Sequence, residues 1–291
     1  RIINGGMEIS QRGTSFSSIT GTTYTLDRFA VRDATSVTQS TDVPSGQSFK
    51  NSLFYDNAGS RTSINIRQPM EDVTRFFNDS EVTLSFWLKS SIATTITVDL
   101  CDANPTNVAV TTSWAKYKVT FPSTSNLNPS NTYVAGAGWI DFNLGSDYPD
   151  VYLTGVQLEK GSTATDFEYV DYGRQLIQCQ RYLPAFVEAA INANLPFVGC
   201  GVNGTNQTGI YTFEVATRVP PTGITVSAAS HFSSLRPSSG STAATAVAFA
   251  AASRYACQFQ VSAASGLVAD VPYLLFANSA SAVMLFDGCE L

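Results

Sequence analysis

Charge is scarce in this chain. Asp, Glu, Lys and Arg together make up 14% of its 291 residues, against roughly 25% in an average soluble protein. The 17 basic residues form no cluster and the net charge is −6, which argues against nucleic acid and anionic membranes as partners. The longest apolar run, Ala243–Ala252, falls short of the ~20 residues that a membrane-spanning helix needs, so no insertion into a membrane is predicted.

Groups that carry out nucleophilic or metal chemistry are also few. His231 is the sole histidine, and neither a GxSxG nor an HExxH motif occurs. The five cysteines are an odd number, lie far apart and form no CxxC pair, which predicts buried, reduced thiols and no disulfide framework. They are Cys101, Cys179, Cys200, Cys257 and Cys289. This pattern fits assembly in a reducing cytoplasm.

The chain is rich in segments in which apolar and polar residues alternate, as in a β-strand. The strongest example is Val82–Lys89, in which every second side chain from Val82 is apolar and the others are Thr83, Ser85, Trp87 and Lys89. Similar segments recur, separated by polar, turn-rich loops and without a convincing helix. They are Tyr24–Val31, Ser63–Arg67, Thr94–Leu100, Trp114–Phe121, Trp139–Leu144 and Val151–Leu158. Residues 1–170 are therefore predicted to form an antiparallel β-sandwich.

A short helix opens a second domain, predicted to span residues 171–291. Tyr172, Leu176, Cys179 and Leu183 share one helical face, and Asp171 precedes them as a capping residue. Strand patterns then resume, clearest in Ile210–Ala216 and Tyr255–Val261. The predicted fold class is all-β: two antiparallel sandwiches, the second smaller, joined by this helix.

Trp87 and Trp139 are the predicted ligand contacts. Trp87 shares a strand face with Lys89, and Trp139 shares one with Asp141 and Asn143. Proteins hold sugars in this way: the apolar face of a pyranose stacks on an aromatic ring while its hydroxyls meet polar groups. The predicted carbohydrate-binding residues are therefore Trp87, Trp139, Asp141 and Lys89. The alternative is that both tryptophans fill the core or a domain seam; Trp114 is assigned to structure.

Several of these segments together resemble one protein family. The family is that of the tail-fibre and tailspike proteins of tailed phages, which this chain resembles in three places. They are the middle segment GVQLEKGSTATDFEY followed by YGRQLIQCQRY, the opening NGGMEISQRGTSFSS and YTLDRF, and the ending LFDGCEL. Asp166 stands where that family usually has proline, and Leu183 where it has a second tyrosine. The segments touch both ends and the middle of the chain.

The resemblance implies a function and a set of partners. Residues 1–170 would be a jelly roll of the carbohydrate-binding-module type, and residues 171–291 the distal knob of a homotrimeric fibre. The protein would belong to a virion assembled in the bacterial cytoplasm and would bind a host-surface glycan. Arg1 is not a start methionine, so an upstream segment is expected to attach the chain to other virion proteins. The resemblance also allows a structural calcium ion, although no loop has the spacing of a dedicated calcium motif.

Binding without catalysis is the expected activity. Acidic residues crowd the end of the first domain, yet they lie on loops without cleft-building insertions, so no catalytic residue is assigned. They are Asp141, Asp147, Asp150, Asp166, Glu168 and Asp171. Two alternatives stay open: a capsid decoration or head-fibre protein, and a polysaccharide depolymerase.

Overall fold

The computed structural model divides the chain into two compact units. It describes residues 2–57, 64–71, 73, 80–101, 103–122, 138–145, 149–188, 190–236 and 239–290. One unit reaches from the N-terminus to Leu176, and the second spans Ile177–Glu290. The dividing point lies inside the joining helix, whereas the sequence analysis placed it before the helix, at residue 170. The predicted all-β class is confirmed, because strands dominate both units.

The first unit is a jelly-roll sandwich of two six-stranded antiparallel sheets. Sheet A has the order β1-β4-β5-β12-β7-β10, and sheet B has the order β2-β3-β6-β11-β8-β9. The strands are β1 (Ser15–Ser17), β2 (Thr22–Tyr24), β3 (Ala30–Arg32), β4 (Ser36–Ser40), β5 (Ser52–Asp56), β6 (Asn65–Met70), β7 (Val82–Ser90), β8 (Thr94–Leu100), β9 (Ala103–Val110), β10 (Ala115–Phe121), β11 (Gly138–Asn143) and β12 (Val151–Lys160).

One apolar core fills the space between the two sheets. Every second residue of β7, from Val82 to Leu88, is buried in it. Phe86 of sheet A meets Phe142 of sheet B edge to face, with ring centroids 5.0 Å apart. The alternation read from the sequence is therefore that of side chains pointing into the core and away from it.

Strand β12 lies between β5 and β7 in sheet A and is bent by a bulge. The register between β12 and β7 shifts between Thr154 and Gln157. Gly155 sits in this bulge with φ +62°, and a Cβ there would lie 2.6 Å from Cζ of Phe49. Glycine is required because the backbone adopts a left-handed conformation against a packed ring.

The outer face of sheet A is partly covered by the chain itself. Thr154 Oγ1 donates a hydrogen bond to the carbonyl of Asn51, 2.8 Å away, which holds the 41–51 loop. Residues 162–168, here called the strap, cross the sheet after β12: Lys116 Nζ donates to the Thr165 carbonyl at 3.0 Å. Phe167 of the strap packs edge to face on Phe49, with centroids 5.0 Å apart.

The second unit begins within the helix α1 (Tyr172–Gln180), which Asp171 caps as predicted, because its Oδ1 accepts a hydrogen bond from the Arg174 N–H at 3.2 Å. In the part of this unit that the structure describes, nine antiparallel strands follow. They are β13 (Ala185–Glu188), β14 (Ala193–Gly201), β15 (Asn206–Thr212), β16 (Gly223–Val226), β17 (Phe232–Arg236), β18 (Gly240–Ala252), β19 (Ala256–Ala263), β20 (Pro272–Ala277) and β21 (Ala282–Asp287), with a 3-10 turn at Ala229–His231.

These strands are arranged differently from two stacked open sheets. Six of them close into a barrel in the order β14-β15-β19-β18-β17-β20, and β13, β21 and β16 form a separate three-stranded sheet. Phe259 of the barrel and Phe286 of β21 belong to one apolar core. Strand alternation predicts the buried face, but not which strands pair, so closure into a barrel was not readable from it.

Four of the five cysteines are buried, and all five are free thiols; Cys200 is the exposed one. Of the helices in the described part of the chain, none has the length and apolarity that a transmembrane span needs.

Candidate functional site

The four predicted ligand residues fall on two different sheets. Trp87 and Lys89 lie on the outer face of sheet A, in β7, whereas Trp139 and Asp141 lie on the outer face of sheet B, in β11. Both tryptophans are half-buried and point away from the core. The sandwich core separates the two pairs, so they do not form one site.

Lys89 is enclosed in a row of side chains across sheet A. Its Nζ lies 4.2 Å from the centroid of the Tyr152 ring and forms an ion pair with Asp42. Phe54 stacks on Tyr152 with centroids 4.4 Å apart. The ring of Tyr152 is thus flanked by Phe54 and by a cation, which leaves no open ring face for a sugar.

Asp42 completes this row from the loop that follows β4. Its Oδ1 accepts a hydrogen bond from Trp114 Nε1 at 2.8 Å. Burial alone raises the pKa of the Asp42 carboxyl, but the hydrogen bonds from Lys89 and Trp114 and the charge of Lys89 outweigh it and lower that pKa. Asp42, Lys89 and Trp114 therefore pin the loop to the sheet, which is a structural role.

Trp87 lies close to the same loop. A Cβ on Gly155 would come within 3.0 Å of the Trp87 ring and 2.6 Å of Phe49, so the indole and the loop phenylalanine line the same bulge. The cross-strand neighbour of Trp87 on β10 is Lys116, whose Nζ holds the strap. Trp87 is therefore set between two segments that cover sheet A.

Asp141 is the centre of a buried polar network on sheet B. Its side chain is 6% exposed and accepts hydrogen bonds from Asn65 Nδ2 at 2.9 Å to each oxygen. Arg67 donates from Nε at 3.0 Å and from Nη2 at 2.8 Å, both to Oδ2. A buried carboxylate needs such compensation for the loss of hydration, and the four bonds leave it little capacity for a ligand.

The effect of Asp141 is to orient Arg67 against Trp139. The guanidinium carbon lies 5.4 Å from the centroid of the indole ring, within cation–π range. The Arg67 side chain stays 28% exposed, so solvent reaches part of it. Nε1 of Trp139 is buried and has no hydrogen-bond partner among the described residues. The pair presents a fixed aromatic ring beside a fixed donor.

Polar side chains extend this surface across sheet B. Asp99 lies opposite Asp141 on β8, and Thr97 lies opposite Asn143. Thr97 Oγ1 donates to Asn107 Oδ1 of β9 at 3.0 Å. The outward side chains of these four strands, here called the Trp139 face, are Asn65, Arg67, Trp139, Asp141, Asn143, Thr97, Asp99 and Asn107.

The sequence analysis found two residues of this face and named a third as a neighbour. Asn65 and Arg67 were missed, although they alternate with Ile66 in a segment that was assigned as a strand. Thr97 and Asp99 likewise alternate with Val98. That alternation marks them as outward-facing; only the pairing of β6, β11 and β8 shows that they are neighbours.

The remaining predicted acids serve local structure or lie apart. Asp150 Oδ1 accepts from the Asn57 N–H at 2.9 Å, and Asp171 caps α1. Asp166 and Glu168 belong to the strap, and Asp147 lies outside the described residues. Within those residues, no three His, Cys, Asp or Glu side chains are grouped so as to hold a metal ion.

Comparison with known proteins adds likeness at the level of the fold. No family model and no curated protein matches the chain. An enzymatically active domain of tailspike protein 4 from bacteriophage CBA120 is 20% identical, with a TM-score of 0.37 over 55% of this chain and 21% of that one; the chain thus spans about a fifth of its length.

Two carbohydrate-binding modules also match the chain. A module of the CBM4 type is 16% identical, with a TM-score of 0.34 over 55% of this chain and 100% of the other. The CBM22-1 xylan-binding domain of Xyn10C from Paenibacillus barcinonensis is 17% identical, with a TM-score of 0.30 over 52% and 94%. Scores of this size assign no function to this chain.

Proposed function

We propose that this chain is a tail-fibre or tailspike-type virion protein that binds a glycan of the host surface on the Trp139 face. The observation that carries the binding site is the fixed arrangement of Arg67 between Asp141 and Trp139. The assignment to a phage virion is supported by the sequence resemblance of the segments around Val151–Tyr182 and of both ends.

The chemistry of the face suits a polyhydroxylated ligand. The apolar face of a sugar ring stacks on the accessible part of Trp139, and its hydroxyls accept from Arg67 and donate to Asp99. Asn143 and Asn107 are exposed amides that both donate and accept. Since Asp141 already holds Arg67 in place, little side-chain entropy is lost on binding.

Adhesion by such a surface gains from repetition. A single site of modest affinity becomes firm attachment when several copies engage one glycan-covered surface. The homotrimer implied by the resemblance would supply three copies of the Trp139 face. Catalysis is not part of the proposal, so we expect host polysaccharide to keep its chain length when it is incubated with the purified protein.

Binding is tested with three single variants on a glycan array and by calorimetry. We expect Trp139→Ala and Arg67→Ala to weaken binding at least tenfold, which corresponds to about 1.4 kcal/mol. Trp87→Ala is the matched control, because it removes the same ring from the opposite sheet, and it should bind as the unmodified chain does. Equal binding by all three variants would remove the Trp139 face as the site.

Placement on the virion is tested separately. Electron microscopy of intact virions labelled with antibody against this chain should show label on the tail. Label on the capsid would instead support a head-fibre or decoration protein.

A further inference from the structure

A cleft opens in the second unit beside the last residue of α1. It spans about 200 Å³, including space open to solvent, and its enclosed part has room for one water-sized group. Among the residues that line it are Gln180, Pro184, Tyr211, Phe213 and Glu214. Apolar walls with a few polar groups are typical of ligand sites, but sites for drug-sized ligands reach roughly 300–1,000 Å³. This cleft therefore suits one small group of a ligand.

The apolar walls of the cleft are held by the core of the second unit. The Phe213 ring packs edge to face on Phe286, with ring centroids 5.0 Å apart, and the Phe213 N–H donates to the carbonyl of Tyr255 at 2.9 Å. The Phe286 N–H donates to the carbonyl of Pro184 at 3.0 Å. A ligand would thus meet walls that are already in place, so little order has to be created on binding.

The hydroxyl of Tyr211 lies in this cleft without a partner. The residue is 5% exposed, and its ring packs on Phe286 with centroids 4.7 Å apart. Within the described part of the chain, its hydroxyl makes no hydrogen bond, although a buried tyrosine usually finds one. Burial first, and then the charge of Glu214, raise the pKa of Tyr211 to about 12. The carboxylate therefore acts on the same space that the hydroxyl faces.

The polar groups of the cleft favour a positive charge. Glu214 is the single charged side chain in its lining, and among the described residues it has no ion-pair partner. Gln180 is the last residue of α1, where the helix carries a partial negative charge. Arg181 follows it but does not line the cleft; its guanidinium carbon lies over the Tyr182 ring, 5.9 Å from the centroid. No cation of the lining thus competes with a ligand for Glu214.

We propose that this cleft binds a primary ammonium group of a small ligand. An ammonium group has three N–H donors, and the carboxylate of Glu214, the amide oxygen of Gln180 and the hydroxyl oxygen of Tyr211 are three acceptors. The rings of Tyr211 and Phe213 add the attraction of an aromatic face for a cation. A guanidinium is planar and larger, and a hydroxyl lacks the charge that Glu214 selects.

An amino sugar and a lysine side chain both carry such a group. Calorimetry of the full chain with glucosamine, glucose and N-α-acetyl-lysine amide, at mildly acidic pH where the amines are protonated, compares them. We expect saturable binding of glucosamine and none of glucose, which has a hydroxyl in place of the ammonium group. Binding of the lysine probe as well would show that the ammonium group alone is recognised, and binding of a single amine would identify the carrier. Absence of binding by both amines, or equal binding of glucosamine and glucose, would overturn the proposal.

Variants assign this binding to the cleft. Glu214→Gln keeps the size of the side chain and removes its charge, so it should weaken binding of the amine at least tenfold. Tyr211→Phe keeps the packed ring and should weaken it roughly threefold. Asp270→Asn is the matched control, because it removes an exposed carboxylate of the same unit that does not line the cleft. Equal melting temperatures would show that the variants have kept the fold.

The cleft and the Trp139 face are tested independently. They lie in different units, so Trp139→Ala should bind the amine as the unmodified chain does. Loss of amine binding in Trp139→Ala, together with full binding in Glu214→Gln, would overturn the cleft as the site and leave the Trp139 face standing. Full binding in Glu214→Gln would by itself overturn the role of the carboxylate.

Discussion

Glu159 holds Thr165 by two hydrogen bonds, one from the Thr165 N–H to Oε2 at 3.0 Å and one from its hydroxyl to Oε1 at 2.5 Å. Gln157 holds the next residues: its Nε2 donates to the Asp166 carbonyl at 3.1 Å, and its Oε1 accepts from the Glu168 N–H at 2.8 Å. These side chains belong to β12, so the strap is bound to that strand. Gln157 and Glu159 are here called the clamp. The motif GVQLEKGSTATDFEY thus contains both the clamp and the strap that it holds.

Releasing this clamp should make the strap accessible to proteases. We expect Gln157→Ala combined with Glu159→Ala to speed cleavage within residues 162–168, because cleavage requires local opening and these side chains oppose it. Limited proteolysis followed by mass spectrometry gives the rate and the position. Lys160→Ala, on the same strand but exposed, serves as control and should be cleaved as slowly as the unmodified chain. No change in the double variant would show that the bond from Lys116 and the aromatic contact of Phe167 are enough to hold the strap.

Removal of the Asp141 carboxylate should destabilise the first unit. Asp141→Ala leaves the buried Asn65 amide and one edge of Arg67 without acceptors. We expect the free energy of unfolding to fall by roughly 1–3 kcal/mol, measured by urea denaturation. Thr95→Ala, at an exposed position on the same sheet, should change it by no more than about 0.5 kcal/mol. A change that small in Asp141→Ala would mean that solvent replaces the lost bonds.

Protonation of the Asp42 carboxyl in acid should lower the stability of the first unit. Burial opposes ionisation, but the bonds from Lys89 and Trp114 dominate and lower the pKa of this carboxyl below the usual aspartate value of 3.8. The folded state therefore favours the carboxylate. Its contribution to stability is present above the unfolded pKa of 3.8 and is lost as pH falls through the lower pKa of the folded state. Urea unfolding between pH about 6 and about 3 should show a shallower acid slope in Asp42→Asn. Asp166→Asn, at an exposed carboxyl, is the control, and equal slopes in the two variants would contradict the assignment.

The second unit should weaken at alkaline pH. Burial is the main cause that raises the pKa of Tyr211 to about 12 and those of Cys257 and Cys289 to about 11. The folded state favours the protonated forms, so their contribution to stability is complete below the usual thiol pKa of 9.0 and is lost as pH rises through about 11. The free energy of unfolding should therefore fall over this interval.

Replacing one of these thiols should reduce that dependence. We expect Cys257→Ala to show a smaller fall in the free energy of unfolding between pH about 9 and about 11 than the unmodified chain. Phe259→Leu, a change in the same core without a titrating group, should lower stability equally at both pH values. A full alkaline slope in Cys257→Ala would show that its ionisation is not coupled to folding.

Strand alternation correctly predicted which side chains of β7 and β11 point outward. Trp139 and Asp141 share a face as the sequence analysis expected, because the period of a strand is two. Alternation carries no information on what lies over a face, however. Lys89 was expected to meet a ligand, yet Asp42, from a loop far away in sequence, occupies it.

The sequence by itself determined the all-β class, the capped helix between two sets of strands, the direction of the outward side chains and the scarcity of charge. These are local properties, set by residue type and by a short period. Only the tertiary structure decided that Trp87 and Trp139 lie on opposite sheets, that Asn65 and Arg67 meet Asp141, and that six strands close into a barrel. Those relations depend on which strands exchange backbone hydrogen bonds. Because the backbone N–H and C=O groups are the same in every strand, a strand can pair with many others, and the local sequence does not say with which.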